Sequence, residues 1–153
     1  QHLNRLFYHL ETIKVGGQFT KPVNYKDIYT GSRKKELLIF ITDLYQKNTE
    51  ILDLLDTLTA LKNEVIVFHL MGKNELELDF KGFSVLEDLE TGETVKIDAR
   101  TSRKQYQENL ATHLNTIRTE MLDRHIHYRM ISMDEPPDQA LRDFLNQRNK
   151  VRG

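Results

Sequence analysis

Apolar positions along the chain change their spacing several times, and each change predicts an element. Leu3, Leu6, Phe7, Leu10 and Ile13 recur every three or four residues, which sets them on one stripe of a helix over residues 1–14 that Gly16-Gly17 ends. Thr20, Lys21 and Pro22 then offer a capping hydroxyl and a first-turn proline, and residues 22–31 keep only weak helical periodicity. From Leu37 to Ile41 every side chain is apolar. A run without a polar face predicts a strand buried on both sides, the kind that parallel sheets use. Ile51, Leu52, Leu54, Leu55, Leu58 and Leu61 next define an amphipathic helix. Its Glu50, Asp53 and Asp56 sit toward the N-terminal half, where the helix dipole favours negative charge. Glu64–Met71 is a second, β-branched apolar run. Strand, helix and strand within about thirty residues make a βαβ unit, which demands parallel pairing and a right-handed crossover.

Residues 72–98 change the rhythm to alternation. Leu76, Leu78 and Phe80 alternate with polar residues, as do Phe83 with Val85 and Val95 with Ile97, and Lys81-Gly82 and Thr91-Gly92 supply turns. The pattern predicts a small antiparallel excursion over 76–98 attached to the main sheet. A long helix follows from Ser102 to about Arg124, with Tyr106, Leu110, His113, Leu114, Ile117, Met121 and Leu122 along its inner side, and then a strand over 126–133. Asp134-Glu135-Pro136-Pro137 breaks that strand and starts a last helix, whose Ala140, Leu141, Phe144 and Leu145 are spaced to pack inward. The expected class is α/β, with parallel strands at about 37–43, 64–71 and 126–133.

Composition narrows the function classes. The 153 residues fit one domain with a sizeable core, residues 1–153. Lys and Arg number 22 against 23 Asp and Glu, a balance that gives no general attraction to nucleic acid or to an anionic membrane. The chain has no cysteine, so disulfides, thiolate zinc sites and cysteine nucleophiles are excluded, and a reducing, cytoplasmic setting is permitted. No apolar run approaches a membrane span and no signal-peptide pattern opens the chain. The start at Gln1, without methionine and directly in helix-like sequence, is expected of a fragment of a longer protein.

Candidate chemistry concentrates at the carboxyl ends of the strands, where open α/β sheets bind ligands. The first run ends in Thr42 and Asp43, a hydroxyl and a carboxylate. Asp43 reads either as a ligand-binding group or as a cap of the following helix. His69, inside the second strand, reads as a satisfied core histidine or as a base. His125 and His127 are two apart and would share a face of an extended segment, but no third ligand accompanies them. His2 and His9 lie two helical turns apart, too far for a common metal. The carboxylates of the excursion, from Glu75 to Glu93, alternate with apolar residues as on a solvated face. No phosphate loop, Gly-x-Ser-x-Gly elbow, His-Glu-x-x-His helix or internal repeat is present.

Several stretches together resemble a known family. Leu38-Ile39-Phe40-Ile41-Thr42-Asp43-Leu44-Tyr45, Val65-Ile66-Val67-Phe68-His69-Leu70, Leu86-Glu87-Asp88-Leu89-Glu90-Thr91-Gly92, Tyr106, and Leu141 with Phe144-Leu145 and Arg148 are similar to the C-terminal half of the von Willebrand factor A-like proteins of domain-of-unknown-function family fifty-eight. The Asp-Leu-Glu-Thr-Gly turn is the most specific part. The resemblance implies a partial doubly wound, three-layer sandwich that lacks its first strands, and a metal-ion-dependent adhesion site at the switch point. It assigns Asp43 as a metal ligand and Thr20 as a second. The family's Asp-x-Ser-x-Ser element is absent from this sequence and would lie upstream of Gln1. Because hard divalent cations want about six oxygen ligands, no cofactor is expected in this fragment itself, while Mg²⁺ is expected in the full-length protein. There it would take its remaining ligand from a partner's carboxylate. The resemblance also implies a non-enzymatic protein-interaction role beside a MoxR-type AAA+ ATPase, in protein or complex maturation. The alternative is a metal-dependent hydrolase with His69 or Asp134 as base. A sheet without its first strands leaves the strand at 37–43 with an open edge, for which either residues 1–31 or a homodimer through that strand would be the cover.

Overall fold

A computed structural model shows how these patterns fold. It describes residues 2–14, 16, 35–45, 49–78, 82–87 and 92–151. The elements are α1 (His2–Thr12), β1 (Leu37–Thr42), α2 (Glu50–Ala60), β2 (Glu64–Met71), α3 (Lys73–Glu77), β3 (Phe83–Glu87), β4 (Thr94–Asp98), α4 (Ala99–Asp123), β5 (His127–Ser132) and α5 (Pro137–Val151). Strands β1, β2 and β5 form a parallel sheet in that order, with β2 central, while β3 and β4 pair antiparallel in a sheet of their own.

The periodicity of α2 explains the first layer. Ile51, Leu54, Leu55 and Leu58 lie on one side of the helix and are buried against Val65 and Val67 of β2, with Met121 of α4 and Ile126 completing the cluster. Leu38 and Phe40 of β1 and Tyr128 of β5 pack at its margin. Both crossovers, β1 to β2 through α2 and β2 to β5 through α4, advance in the same direction across the sheet. Right-handed connections advancing one way put both helices on one face. Arg124 joins the two helices, its Nε donating to Asp56 Oδ1 at 2.7 Å and its Nη1 to Glu120. That hydrogen bond to Asp56 is the main reason the guanidinium holds its proton more tightly than usual. The opposite face carries Ile66, Phe68 and Ile131, covered by Ala140 and Phe144 of α5. The rings of Phe68 and Phe144 meet edge to face, 5.2 Å between centroids.

Strand β1 departs from its expected double burial. Its residues alternate, with Leu38 and Phe40 turned to the α2 layer while Leu37, Ile39 and Ile41 remain 50, 55 and 61 % exposed. Register shows why: Ile39 and Ile41 stand beside Ile66 and Phe68 on the face of α5, yet that helix reaches over β2 and β5 only. β1 is also a margin of the sheet, paired to β2 alone among the described residues. The stripe on α1 is uncovered too, all eleven residues of that helix being exposed.

The excursion also differs from expectation. Residues 73–77 form α3 rather than strand. Gly72 starts the helix, its N–H donating to Glu75 Oε2 at 2.6 Å, and Leu78 ends it in the left-handed region at φ 48°. Among the described residues of the excursion only 83–87 and 94–98 pair as strands, and they do not join the main sheet. The strand expected over 126–133 runs from 127 to 132, and the helix before it from 99 to 123. Among the described residues no helix is long and apolar enough to cross a membrane.

Candidate functional site

The end of β1 is a turn made by its own side chains. Thr42 Oγ1 accepts the Leu44 N–H at 2.9 Å and Asp43 Oδ1 accepts the Tyr45 N–H at 3.0 Å, which allows Leu44 its left-handed backbone at φ 54°. Asp43 therefore does not cap α2. Thr49 occupies that position, its backbone oxygen accepting the Asp53 N–H at 2.8 Å.

Beside this turn, His69 is 2 % exposed and lies opposite Thr42 in the register. Its Nδ1 is 2.8 Å from the Tyr128 hydroxyl on β5, and the Asp43 backbone carbonyl, just past the end of β1, is near enough to favour the protonated ring. One imidazole thus ties the carboxyl half of β2 to the start of β5. A neutral ring with its proton on Nε2 accepts from the phenol at Nδ1. Burial lowers the pKa of His69 below its ordinary value. The Asp43 carbonyl opposes that, the charge of His113 adds to it, and the charges of Asp43 and Glu75 oppose it. Burial also raises the Tyr128 hydroxyl, so both partners stay neutral near pH 7.

These groups border a cleft of about 860 Å³ between the ends of β1 and β2, helices α3 and α4, and the β3–β4 hairpin. Asp43 and Tyr45 form one wall, His69 and Met71 the floor, Leu86, Glu87, Glu93 and Val95 the hairpin side, and Tyr106, Leu110 and His113 the wall from α4. Tyr106 donates its hydroxyl to the Glu75 backbone oxygen at 2.6 Å, anchoring α3 against α4. Burial, and then the nearby Glu75 charge, push that hydroxyl above its usual pKa. Four carboxylates, those of Asp43, Glu75, Glu87 and Glu93, line the cleft, and neither lysine nor arginine does among the described residues.

A second depression, about 500 Å³, lies at the opposite ends of the strands around Lys35, Lys62, Glu64 and His127. There Glu64 is held by Arg148 and lies 3.5 Å from His127 Nε2.

The sequence-predicted residues separate accordingly. Asp43 and His69 come together at the cleft, whereas Asp134 is exposed beyond β5 and does not line it. Thr20 lies outside the described residues. His125 sits in a turn at φ 56° before β5 begins, so it does not share an extended face with His127. Among the described residues no three His, Cys, Asp or Glu side chains are placed to hold a metal ion. The described donors, one strand-end carboxylate already accepting a backbone N–H, do not make an Mg²⁺ shell by themselves. Tyr106, Tyr128 and the hairpin side of the cleft escaped sequence reading. Tyr128 carried a usable signal, a phenol on the third of the strands expected to lie parallel.

Fold and site define a parallel-sheet α/β protein with an acidic and aromatic cleft at the carboxyl ends of its strands. Residues 1–116 match the family described as "Protein of unknown function DUF58", and the chain belongs to that family. The match takes in β1, β2, the hairpin and most of α4, hence every cleft residue, and stops before β5 and α5. No curated protein and no solved structure matches the chain.

Proposed function

We propose that this chain is a non-enzymatic protein-interaction module whose contact point is the strand-end cleft at Asp43. The observation that carries the reading is the state of His69. Of the two base candidates named from the sequence it is the one inside the cleft, and its Nδ1 is engaged with the Tyr128 hydroxyl in a buried setting that disfavours taking up a proton. A hydrolase needs a base poised toward a water or substrate. The other candidate, Asp134, lies outside the cleft. What remains there is Asp43, Glu87 and Glu93 beside Tyr45, Leu86 and Val95, a lining suited to a partner segment that brings positive charge and apolar contact.

In its finer form the proposal takes the sheet as part of a doubly wound, von Willebrand factor A-like sandwich in a cytoplasmic protein, with a MoxR-type AAA+ ATPase as the partner class. The resemblance of the Leu38–Tyr45 and Leu86–Gly92 stretches supports that version. Mg²⁺ belongs to it only with ligands beyond those described, so the contact is derived from the protein groups alone.

A photo-crosslinking residue placed at Tyr45 or at Leu86, and for comparison at Arg142 on the outer side of α5, tests the proposal in cells of the protein's own source. The two cleft positions are expected to capture one and the same protein, Arg142 none, and Glu87→Lys with Glu93→Lys to abolish capture. Turnover of a phosphoester in Mg²⁺ that Asp43→Ala removes would overturn the reading in favour of the hydrolase.

A further inference from the structure

The uncovered face of β1 has a shape as well as a composition. Asp143 of α5 lies 4.0 Å from Arg129 on β5, whereas Arg148 of the same helix is bonded to Glu64, which stands beside Leu37 in the register. The Asp143 side of α5 therefore looks toward β5 and the Arg148 side toward β1. Leu141 and Leu145 lie on the Arg148 side by helical spacing, and they are 46 and 49 % exposed. They form the wall of a groove whose floor is Leu37, Ile39 and Ile41.

The dimensions of that groove are those of one helix. Helices on a sheet pack about 8–10 Å apart, and two strand spacings of about 4.8 Å separate β5 from β1. A helix laid beside α5 therefore comes to rest over β1. The six residues of β1 extend roughly 20 Å, and the eleven of α1 roughly 16 Å. Helix α1 and the Ile13 that follows it carry five apolar side chains on one stripe, each more than half exposed, and none of the helix's residues is buried.

We infer that the occupant is a second copy of this chain, which lays its α1 across β1 alongside α5 and receives the first copy's α1 in return. Area favours the reciprocal arrangement. Ten half-exposed side chains of this size, at on the order of 100 Å² each, give roughly 1,000 Å² for one docked helix. Two dockings give about twice that, above the roughly 1,200 Å² at which stable interfaces begin. A two-fold exchange also closes on itself, leaving no further groove open. This inference does not depend on the function proposed for the cleft, which lies at the strand ends rather than on this face.

Because the chain has no native cysteine, trapping gives a clean test. Two variants of the 153-residue chain, Leu10→Cys and Ile39→Cys, are mixed at micromolar concentration and oxidised. A disulfide joining one chain of each kind is expected, as is a dimer of the unmodified chain in sedimentation equilibrium. Leu6→Glu and Ile39→Glu, both at exposed positions, should each weaken that dimer about 30-fold or more while leaving the circular dichroism spectrum unchanged. A monomer at 100 µM (about fifty times a ~2 µM working concentration for a micromolar complex) would overturn the inference. So would a disulfide formed within one chain carrying both cysteines, or a dimer that both glutamate variants leave intact.

Discussion

Strands β1 and β2 are built from nearly the same material and end in different surroundings. Leu37–Ile41 and Val65–Phe68 are both unbroken apolar runs, and they lie side by side in register. β2 has a neighbour on each edge and a helix layer on each face, so Val65, Ile66, Val67 and Phe68 are all at or below 4 % exposure. Among the described residues β1 has one neighbour and one covered face, and every second side chain is left exposed. A run of apolar residues therefore records what a strand is suited to, whereas its burial depends on layers that other segments supply.

Substitution in the two environments should separate them most. Leu55→Ala removes a side chain with no exposed surface from the centre of the α2–β2 cluster, and about 2–5 kcal/mol of stability should go with it. Ile39→Thr keeps the β-branch at a position already 55 % exposed, so its effect should stay within about 1 kcal/mol. Urea denaturation of both variants at a concentration where the chain is monomeric measures this. Equal losses would mean that the outer face of β1 is covered after all.

A smaller effect is expected from the buried His69 of β2. Because the folded pKa of His69 lies below its ordinary value of 6.5, the unfolded chain takes up a proton first as the pH falls. Stability should be complete above about pH 6.5 and should decline from there down through the folded pKa. The slope should be shallower in His69→Gln. An identical decline in that variant, followed by denaturation at several pH values, would show that His69 is not the group responsible.

Sequence patterns revealed elements more reliably than surroundings. The helical stripe of Ile51–Leu58 and the βαβ spacing placed α2, β1 and β2, because periodicity is a local property that survives folding. Asp43 and His69 were legible for the same reason, each sitting at or near the end of a recognisable strand. The alternation of Leu76 and Leu78 misled, since the bond from the Gly72 N–H to the Glu75 carboxylate helps start a helix over residues 73–77, too short for periodicity to show. The cleft itself was only partly legible. Tyr106 and Val95 reach it from α4 and from a hairpin that does not join the main sheet, and local spacing carries no information about that approach.

The most direct test of the contrast is amide hydrogen exchange, followed strand by strand on the 153-residue chain. In β2, with bonded neighbours on both sides, the amides of 65–70 should all be slow and set close to global unfolding. In β1, among the described residues, only the amides that point to β2 have a strand partner, so roughly half of those in 37–42 should be slow and the alternate ones fast. That alternation should persist when α1 of a second copy covers the face, since a docked helix leaves the strand edge unpaired. Uniformly slow exchange along 37–42, matching that of 65–70, would contradict the account of β1 as the open margin of the sheet.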